Sequence, residues 1–269
     1  MTYQRITELD TTEISYDEAT VEAVRGSWGE LRAGLDPDTL ETLDARLRRR
    51  WSIETGLIEG LYTIDRGITR TLIEHGLHAD LIGHGSSDVS GIELVTVVQD
   101  HDDAFELLVQ IVAHERPLTT SFIKELHALL TRHEDSTVAK EAGTGRLVRI
   151  PLLRGEWKQQ PNNPERPDGT VHEYAPVLDV SSEMSNLVDW HSGHKHSHVE
   201  SVIEAAWLHH RFTQIHPFQD GNGRVARSLA SVVLLRNGLL PHVVDRDERV
   251  RYIAALEAAD DGDLNPLVN

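Results

Sequence analysis

The chain has 269 residues, enough for one large domain or two smaller ones, and its formal net charge of −18 argues against general binding to nucleic acids or anionic membranes. It contains no cysteine, which excludes disulfides and thiolate metal sites and fits a reducing cytosol. No apolar run approaches the roughly 18 residues of a membrane span and the polar N-terminus has no signal-peptide core, so we expect a soluble, cytoplasmic protein without a membrane partner.

Helical patterns dominate the first half of the chain. Residues 36–51 begin with an aspartate cap and carry a proline in the first turn, which is typical of a helix start. The helical rhythm continues through residues 52–68, but three glycines there predict a short or broken helix. Amphipathic spacing then predicts helices over 91–115 and 119–134.

The pattern changes near residue 143. Two short segments rich in β-branched residues, 143–157 and 170–177, are separated by a loop rich in proline, asparagine and glycine. We interpret them as a small hairpin or flap with a wide tip.

Helical periodicity returns in residues 181–191 and is strongest in 199–215. Residues 225–238 form a nearly all-apolar helix that stops at Gly238 and should be buried. The sequence therefore predicts a mainly α fold with one small β-hairpin.

One short segment, HPFQDGNGRVAR at 216–227, concentrates polar and charged groups. A helix beginning near Arg224 would present unpaired N–H groups and a partial positive charge at its N-terminus. The glycines at 221 and 223 leave the backbone free to curl around an anion. Arg224 and Arg227 lie three residues apart, so both would reach a polyphosphate.

Two further side chains of this segment suit the chemistry of phosphate transfer. Asp220 is a hard oxygen ligand for Mg²⁺ beside the phosphates. His216 has an ordinary pKa near ~6.5 and would accept a proton from an attacking hydroxyl. A capped helix start with solvated arginines would explain the glycines but not this ordered combination, which favours phosphoryl or nucleotidyl transfer.

The segment 216–227 resembles the signature of the Fic (Fido) family, His-Pro-Phe-x-(Asp/Glu)-Gly-Asn-Gly-Arg-x-x-Arg, at every fixed position. The preceding helix is also similar, although Thr213 stands where a glutamate is common, and weaker similarities extend the likeness to about 90–269. The resemblance implies a Fic-type helical bundle with a β-hairpin flap. It also implies an N-terminal helical region over 1–90 and a Fic catalytic domain over 91–269.

The activity that the resemblance implies is Mg²⁺-dependent transfer of AMP from ATP to a Ser, Thr or Tyr hydroxyl of a target protein. By position, His216 would be the catalytic base and Asp220 the Mg²⁺ ligand. Nucleotide binding would fall to the next residues: Gly221 and Gly223 through their backbone, Asn222 at the α- and β-phosphates, and Arg224 and Arg227 at the β- and γ-phosphates. Relatives that phosphorylate instead carry lysine where this chain has Gly223.

The target protein is expected to dock at the flap, residues 146–176, as an added strand. Self-modification, a homodimer, another nucleotide donor and net removal of AMP all stay open. A nucleotide-binding regulatory module with negligible catalysis is a further alternative, but the intact His216 argues against it.

A second segment, TGLIEG at 55–60, resembles the inhibitory motif of the same family, (Ser/Thr)-x-x-x-Glu-(Gly/Asn). Thr55 and Glu59 are four residues apart and would share one helix face. The resemblance implies that Glu59 pairs with Arg227 and keeps the γ-phosphate from seating, which would make the inhibition intramolecular. Glu59 would also be placed to assist removal of AMP.

The histidine-rich tract HSGHKHSH at 191–198 lacks the helical histidine spacing of a zinc hydrolase. We interpret it as a solvated connector rather than a metal site.

Overall fold

Helices build most of the fold in the computed structural model, which describes residues 3–141, 144–166 and 169–269. Within these ranges the α-helices are α1 Glu18–Gly34, α2 Pro37–Glu59, α3 Arg66–His75, α4 Gly91–Ala113, α5 Thr120–Leu130, α6 Val180–His196, α7 Ser201–Ile215, α8 Asn222–Arg236, α9 Arg249–Asp260 and α10 Asn265–Val268. The strands are β1 Ser136–Lys140 and β2 Leu147–Pro151, and short 3₁₀ turns cover Ala79–Leu81 and Arg246–Glu248. None of the described helices is both long enough and apolar enough to cross a bilayer.

The centre of the fold is the pair α7 and α8, which pack against each other more extensively than any other two helices. Helix α8 also contacts α4, α5 and α2. Eleven of its fifteen residues are buried, so the prediction that this apolar helix is buried is confirmed. The apolar side chains of α4, α5, α7 and α8 share one core. This packing holds the N-terminal end of α8 at the meeting point of several helices.

Helix α2 runs without interruption to Glu59, and helical structure resumes only at Arg66, so residues 52–68 are broken as expected, at Gly60. Gly56 lies inside the helix, where the ring of Tyr62 packs directly against its Cα and a β-carbon would clash with that ring. Tyr62 is held there because its hydroxyl donates to the Ile53 carbonyl at 2.9 Å. The helix ends at Gly60, whose φ of 70° is in the left-handed region that favours glycine. Glu59 is therefore the last residue of a long helix that packs on α4 and reaches α8.

The hairpin is present, but only its second strand lies in a predicted segment, since β2 falls within 143–157 and β1 lies upstream of it. β2 pairs with the upstream strand β1, from Ser136↔Pro151 to Lys140↔Leu147. Residues 170–177 form no strand in the described part of the chain and contribute only an isolated bridge between Val171 and Glu165. Strand β1 was missed because the helix predicted over 119–134 was too long. Helix α5 ends at Leu130, and the chain turns into β1 a few residues later. Parts of the predicted flap, residues 143 and 167–168, lie outside the described residues.

The histidine-rich tract is not a loop connector over its first six residues, because α6 continues to His196. Two of its side chains point to α7, where His191 Nδ1 and His194 Nδ1 donate to the buried carboxylate of Glu204 at 2.6 and 2.7 Å. These bonds attach the C-terminal part of α6 to α7. Within the described ranges no three His, Cys, Asp or Glu side chains are arranged to hold a metal ion.

Candidate nucleotide-binding site

The turn between α7 and α8 forms the floor of the candidate site. Gly221 has a φ of 75°, and a β-carbon there would lie 3.1 Å from Thr131 Cγ2 and 3.3 Å from the His127 ring, so both backbone conformation and space require glycine. Asn222 is buried and pins the turn, since its Oδ1 accepts from the Phe218 N–H at 2.9 Å and its Nδ2 donates to the Phe218 carbonyl at 2.8 Å. The Asn222 side chain is thus engaged within the turn, and its contact with phosphate stays a prediction.

His127 of α5 supports this turn from below, a role that the sequence analysis missed. Its ring stacks on Phe218 with centroids 3.7 Å apart. Gly155 N–H donates to His127 Nδ1 at 2.9 Å, so the proton resides on Nε2, which donates to the Asp220 carbonyl at 3.0 Å. Burial lowers the pKa of His127 to about 4 and keeps the ring neutral. The only sequence signal was one histidine on the apolar face of α5.

His216 is held with one ring nitrogen free for chemistry. Its Nδ1 donates to the Thr213 carbonyl at 3.2 Å, which leaves the Nε2 lone pair as the acceptor. Tyr174 stacks on the ring with centroids 3.8 Å apart and planes 8° apart. Burial, followed by the positive charge of Lys158, lowers the pKa of His216 to about 3. The imidazole is therefore neutral at pH 7, as a general base requires.

Arg227 is fully buried and pairs with the C-terminal end of α2. Its Nη2 donates to Glu59 Oε1 at 2.6 Å and to the Thr55 carbonyl at 3.3 Å. Gly223 makes room for this pair, since a β-carbon at position 223 would clash with Glu59 Oε1 and lie 3.1 Å from Arg227 Nη1. Arg227 Nε has no hydrogen-bond partner in the described part of the chain. The structure thus brings together the two sequence motifs that lie more than 150 residues apart.

Arg224 has a different partner that the sequence did not indicate. Its guanidinium forms a two-pronged ion pair with Glu134, with Nη2 to Oε2 at 2.9 Å, and Nη1 also donates to the Leu130 carbonyl at 3.1 Å. The Arg224 side chain is 1% exposed. Its Nε, like that of Arg227, finds no acceptor among the described residues.

Asp220 faces the root of the hairpin. Its Oδ1 accepts from the Gly221 N–H at 2.6 Å, and its Oδ2 accepts from the hydroxyl of Thr137 in β1. No lysine or arginine of the described ranges forms an ion pair with this half-buried carboxylate. An oxygen donor without a cationic partner, next to a turn suited to phosphate, fits a Mg²⁺ ligand.

A cavity of about 370 Å³ lies between His216 and the Glu59–Arg227 pair. Its lining includes side chains or backbone of Glu59, Arg166, Tyr174, His216, Gly223 and Arg227. Tyr174 and Arg166 come from the irregular segment after the hairpin, which the sequence analysis assigned to the flap without a role in the site. The cavity thus combines a neutral imidazole, the first turn of α8 and the buried guanidinium of Arg227.

Comparison with protein families gives one matching family model, the Fic/DOC family, over residues 117–234. Among curated proteins, the chain is 26% identical over 223 residues to protein adenylyltransferase fic-1 of Caenorhabditis elegans, covering 80% of this chain and 37% of that protein. It is 34% identical over 100 residues to the Caenorhabditis briggsae protein of the same name, covering 36% of this chain and 20% of that protein. The chain thus spans less than two fifths of the length of these relatives.

Solved structures give the same result at the level of the fold. A Fic-domain-containing signaling protein from Bacteroides thetaiotaomicron aligns with a TM-score of 0.71 and 26% identity, over 92% of this chain and 84% of that one. Fic-1 of C. elegans aligns with a TM-score of 0.69 and 24% identity, over 93% of this chain and 65% of that one. The mainly α fold with a hairpin, implied by the sequence resemblance, is confirmed.

Proposed function

Because residues 117–234 form a Fic/DOC-family domain, we propose that the chain is a protein adenylyltransferase that moves AMP from ATP to a Ser, Thr or Tyr hydroxyl of a target protein. The observation that carries the proposal is the shared cavity of His216 and Arg227. A neutral base and a buried guanidinium line the same cavity, and the Nε–H of that guanidinium lacks an acceptor among the described residues. A phosphate oxygen would supply that acceptor.

His216 begins the reaction by accepting the proton of the target hydroxyl on Nε2. The hydroxyl oxygen then bonds to the α-phosphorus of ATP, and the bond from that phosphorus to the bridging oxygen breaks, releasing pyrophosphate. The backbone N–H groups of 221–223 stabilise the phosphate charge, while Arg224 and Arg227 hold the β- and γ-phosphates. Asp220 would hold Mg²⁺, which when bound neutralises charge on the phosphate oxygens.

The Glu59–Arg227 pair supports the proposal that this activity is autoinhibited. A carboxylate on the guanidinium occupies donors that the γ-phosphate needs and repels the triphosphate. Thr55 contributes through its carbonyl, which accepts from the same guanidinium. We retain the division into an N-terminal region, 1–90, that carries this glutamate, and a catalytic domain, 91–269. Inhibition would then be intramolecular.

The decisive test compares wild type, Glu59→Gly and Glu59→Gly/His216→Ala in Mg·ATP, with intact mass and pyrophosphate release as readouts. Glu59→Gly should raise AMP transfer, with each ~1.36 kcal/mol of lost inhibition worth a factor of ten in rate. The double variant should be inactive because it lacks the base. Glu41→Gly, an exposed glutamate of the same helix, controls for the helix-weakening effect of glycine. Equal rates for wild type and Glu59→Gly would contradict autoinhibition, and no transfer by any variant would contradict the activity.

The target segment is proposed to dock along the hairpin as an added strand, at β1–β2 rather than over the whole of 146–176. A short, exposed two-stranded ribbon has outer edges that suit such pairing. Thr137 of β1 hydrogen-bonds Asp220, so a strand docked there would lie next to the nucleotide. A hydroxyl of the chain itself is a second possible acceptor of AMP.

The cysteine-free sequence fits a protein that acts in a reducing cytoplasm.

A further inference from the structure

The ion pair between Arg224 and Glu134 occupies one specific edge of the guanidinium. A guanidinium has five N–H groups in a rigid plane. The Glu134 carboxylate accepts one N–H from Nη1 and one from Nη2. The Leu130 carbonyl accepts the other N–H of Nη1. The Nε–H and the second Nη2–H remain. These two lie side by side on one edge of the plane and form a second fork, a shape that matches two oxygens of a phosphate.

Glu134 is held by the backbone rather than by the signature segment. It lies in the turn between α5 and β1, where its N–H donates to the Thr131 carbonyl at 3.0 Å. Thr131 is itself tied back to α5 through the His127 carbonyl. The backbone of Glu134 is therefore anchored independently of the signature segment, and from there its carboxylate meets both Nη groups of Arg224.

We propose that Glu134 is a positioning residue that sets the orientation of Arg224, so that the free edge of the guanidinium binds the phosphates of ATP. The inference rests on the proposed function and names a residue outside the signature. Glu134 and Glu59 differ in how they occupy their arginines. Glu134 leaves the paired Nε–H and Nη2–H donors of Arg224 available, whereas Glu59 and the Thr55 carbonyl both bind Nη2 of Arg227. Removal of Glu134 should therefore weaken binding of the triphosphate, whereas removal of Glu59 should improve it.

The test measures affinities for Mg·ATP and for AMP by calorimetry in the Glu59→Gly protein, with and without changes at Glu134. Glu134→Gln keeps the shape of the side chain but loses the charge that orients the guanidinium. It should weaken ATP binding roughly tenfold and leave AMP binding unchanged, since only the β- and γ-phosphates meet Arg224. Glu134→Asp, which keeps the charge, should recover part of the loss. Asp135→Asn is the matched control, because it removes an equal charge from the neighbouring, exposed side chain.

The ratio of ATP to AMP affinity is the informative quantity, because a purely structural role would change both affinities or neither. An unchanged ratio in Glu134→Gln, or tighter ATP binding, would overturn the inference. If Glu134→Gln does not fold, the ratio in Glu134→Asp decides in the same way. If the parent protein binds neither nucleotide, the proposed function itself fails, and the inference falls with it.

Discussion

The charged residue with the largest influence on the pKa of His216 is Lys158, which lies outside the signature. It is 2% exposed, and its Nζ donates to Asn162 Oδ1 at 2.8 Å. Burial lowers the pKa of Lys158 to about 8, so the ammonium remains mostly charged at pH 7. After burial itself, this charge is the largest influence on His216, whose pKa is lowered; Asp220 acts in the opposite direction.

We predict that Lys158→Met, made in the Glu59→Gly protein, moves the acid limb of the pH–rate profile of AMP transfer to higher pH. Without the neighbouring cation the pKa of His216 rises, so the pH at which the base becomes protonated and the rate falls moves upward. Initial rates followed down to the lowest pH at which both proteins stay folded would show the shift. Lys124→Met, which removes a lysine stacked over Trp157, should leave the profile unchanged. Coincident profiles for the Lys158 variant and its parent would refute the electrostatic role.

The signature segment was readable from the sequence because its chemical groups are contiguous, and their local geometry follows from one turn and one helix start. The residues that pair with these groups and fix their orientation are distant in the sequence. Glu134 and His127 reach the turn from α5 and the residues after it, and Tyr174 reaches His216 from an irregular segment. Such pairings depend on how helices pack, which spacing along one chain does not encode.

At the scale of elements, the end of α2 determines where Glu59 lies. Gly60 adopts the left-handed conformation that closes the helix, whereas Gly29 sits inside α1 with open space around its Cα. The same substitution should therefore have opposite effects at the two sites.

We predict that Gly60→Ala destabilises the protein by about 1 kcal/mol, because alanine pays a steric cost at positive φ. Gly29→Ala should stabilise it by about 0.5 to 1 kcal/mol, because it removes a flexible residue from a helix interior. Urea titration of the two variants and wild type provides the comparison. A loss of stability in Gly29→Ala, or no loss in Gly60→Ala, would count against this account of the helix end.

Helices with clear amphipathic spacing were predicted with nearly correct bounds, as in α4 and α7, whereas the prediction for α5 ran four residues too far. The three glycines of 52–68 were expected to shorten or break the helix, and it does end at Gly60, whereas Gly56 lies inside it. Tertiary packing of Tyr62 against Gly56 outweighs its propensity. The hairpin was found but paired incorrectly, since strands of five residues carry little periodicity. Helix α1 was not predicted, and none of its residues is buried.

For the whole molecule, the notable feature is a set of buried, neutral histidines. Burial lowers the pKa of these side chains below the ordinary value near ~6.5, to about 3 in His101 and His216 and to about 4 in His127 and His242. The unfolded chain binds protons at these groups between pH 6.5 and 4, but the folded chain does not. The contribution of these neutral histidines to the free energy of unfolding is therefore complete above pH 6.5 and is lost as the pH falls through this window.

We predict a steep fall in the free energy of unfolding between pH 7 and pH 4.5, with each such histidine contributing up to about 1.4 kcal/mol per pH unit. Urea denaturation across this range measures the slope. His101→Asn should reduce the slope by about the amount that corresponds to one proton, whatever its effect on absolute stability. His84→Gln, at an exposed histidine, should not change the slope. A slope in His101→Asn equal to that of wild type would refute the assignment.

The contact between Gly223 and Glu59 makes the residue at one position depend on the residue at the other. A β-carbon at 223 would occupy the space of the Glu59 carboxylate. Any homologue that acquires a side chain at position 223, such as the lysine of phosphorylating relatives, must therefore lose this glutamate contact or relocate it. Across homologous chains the two positions should mutate together, so that a side chain at position 223 and a glutamate at the end of α2 exclude each other.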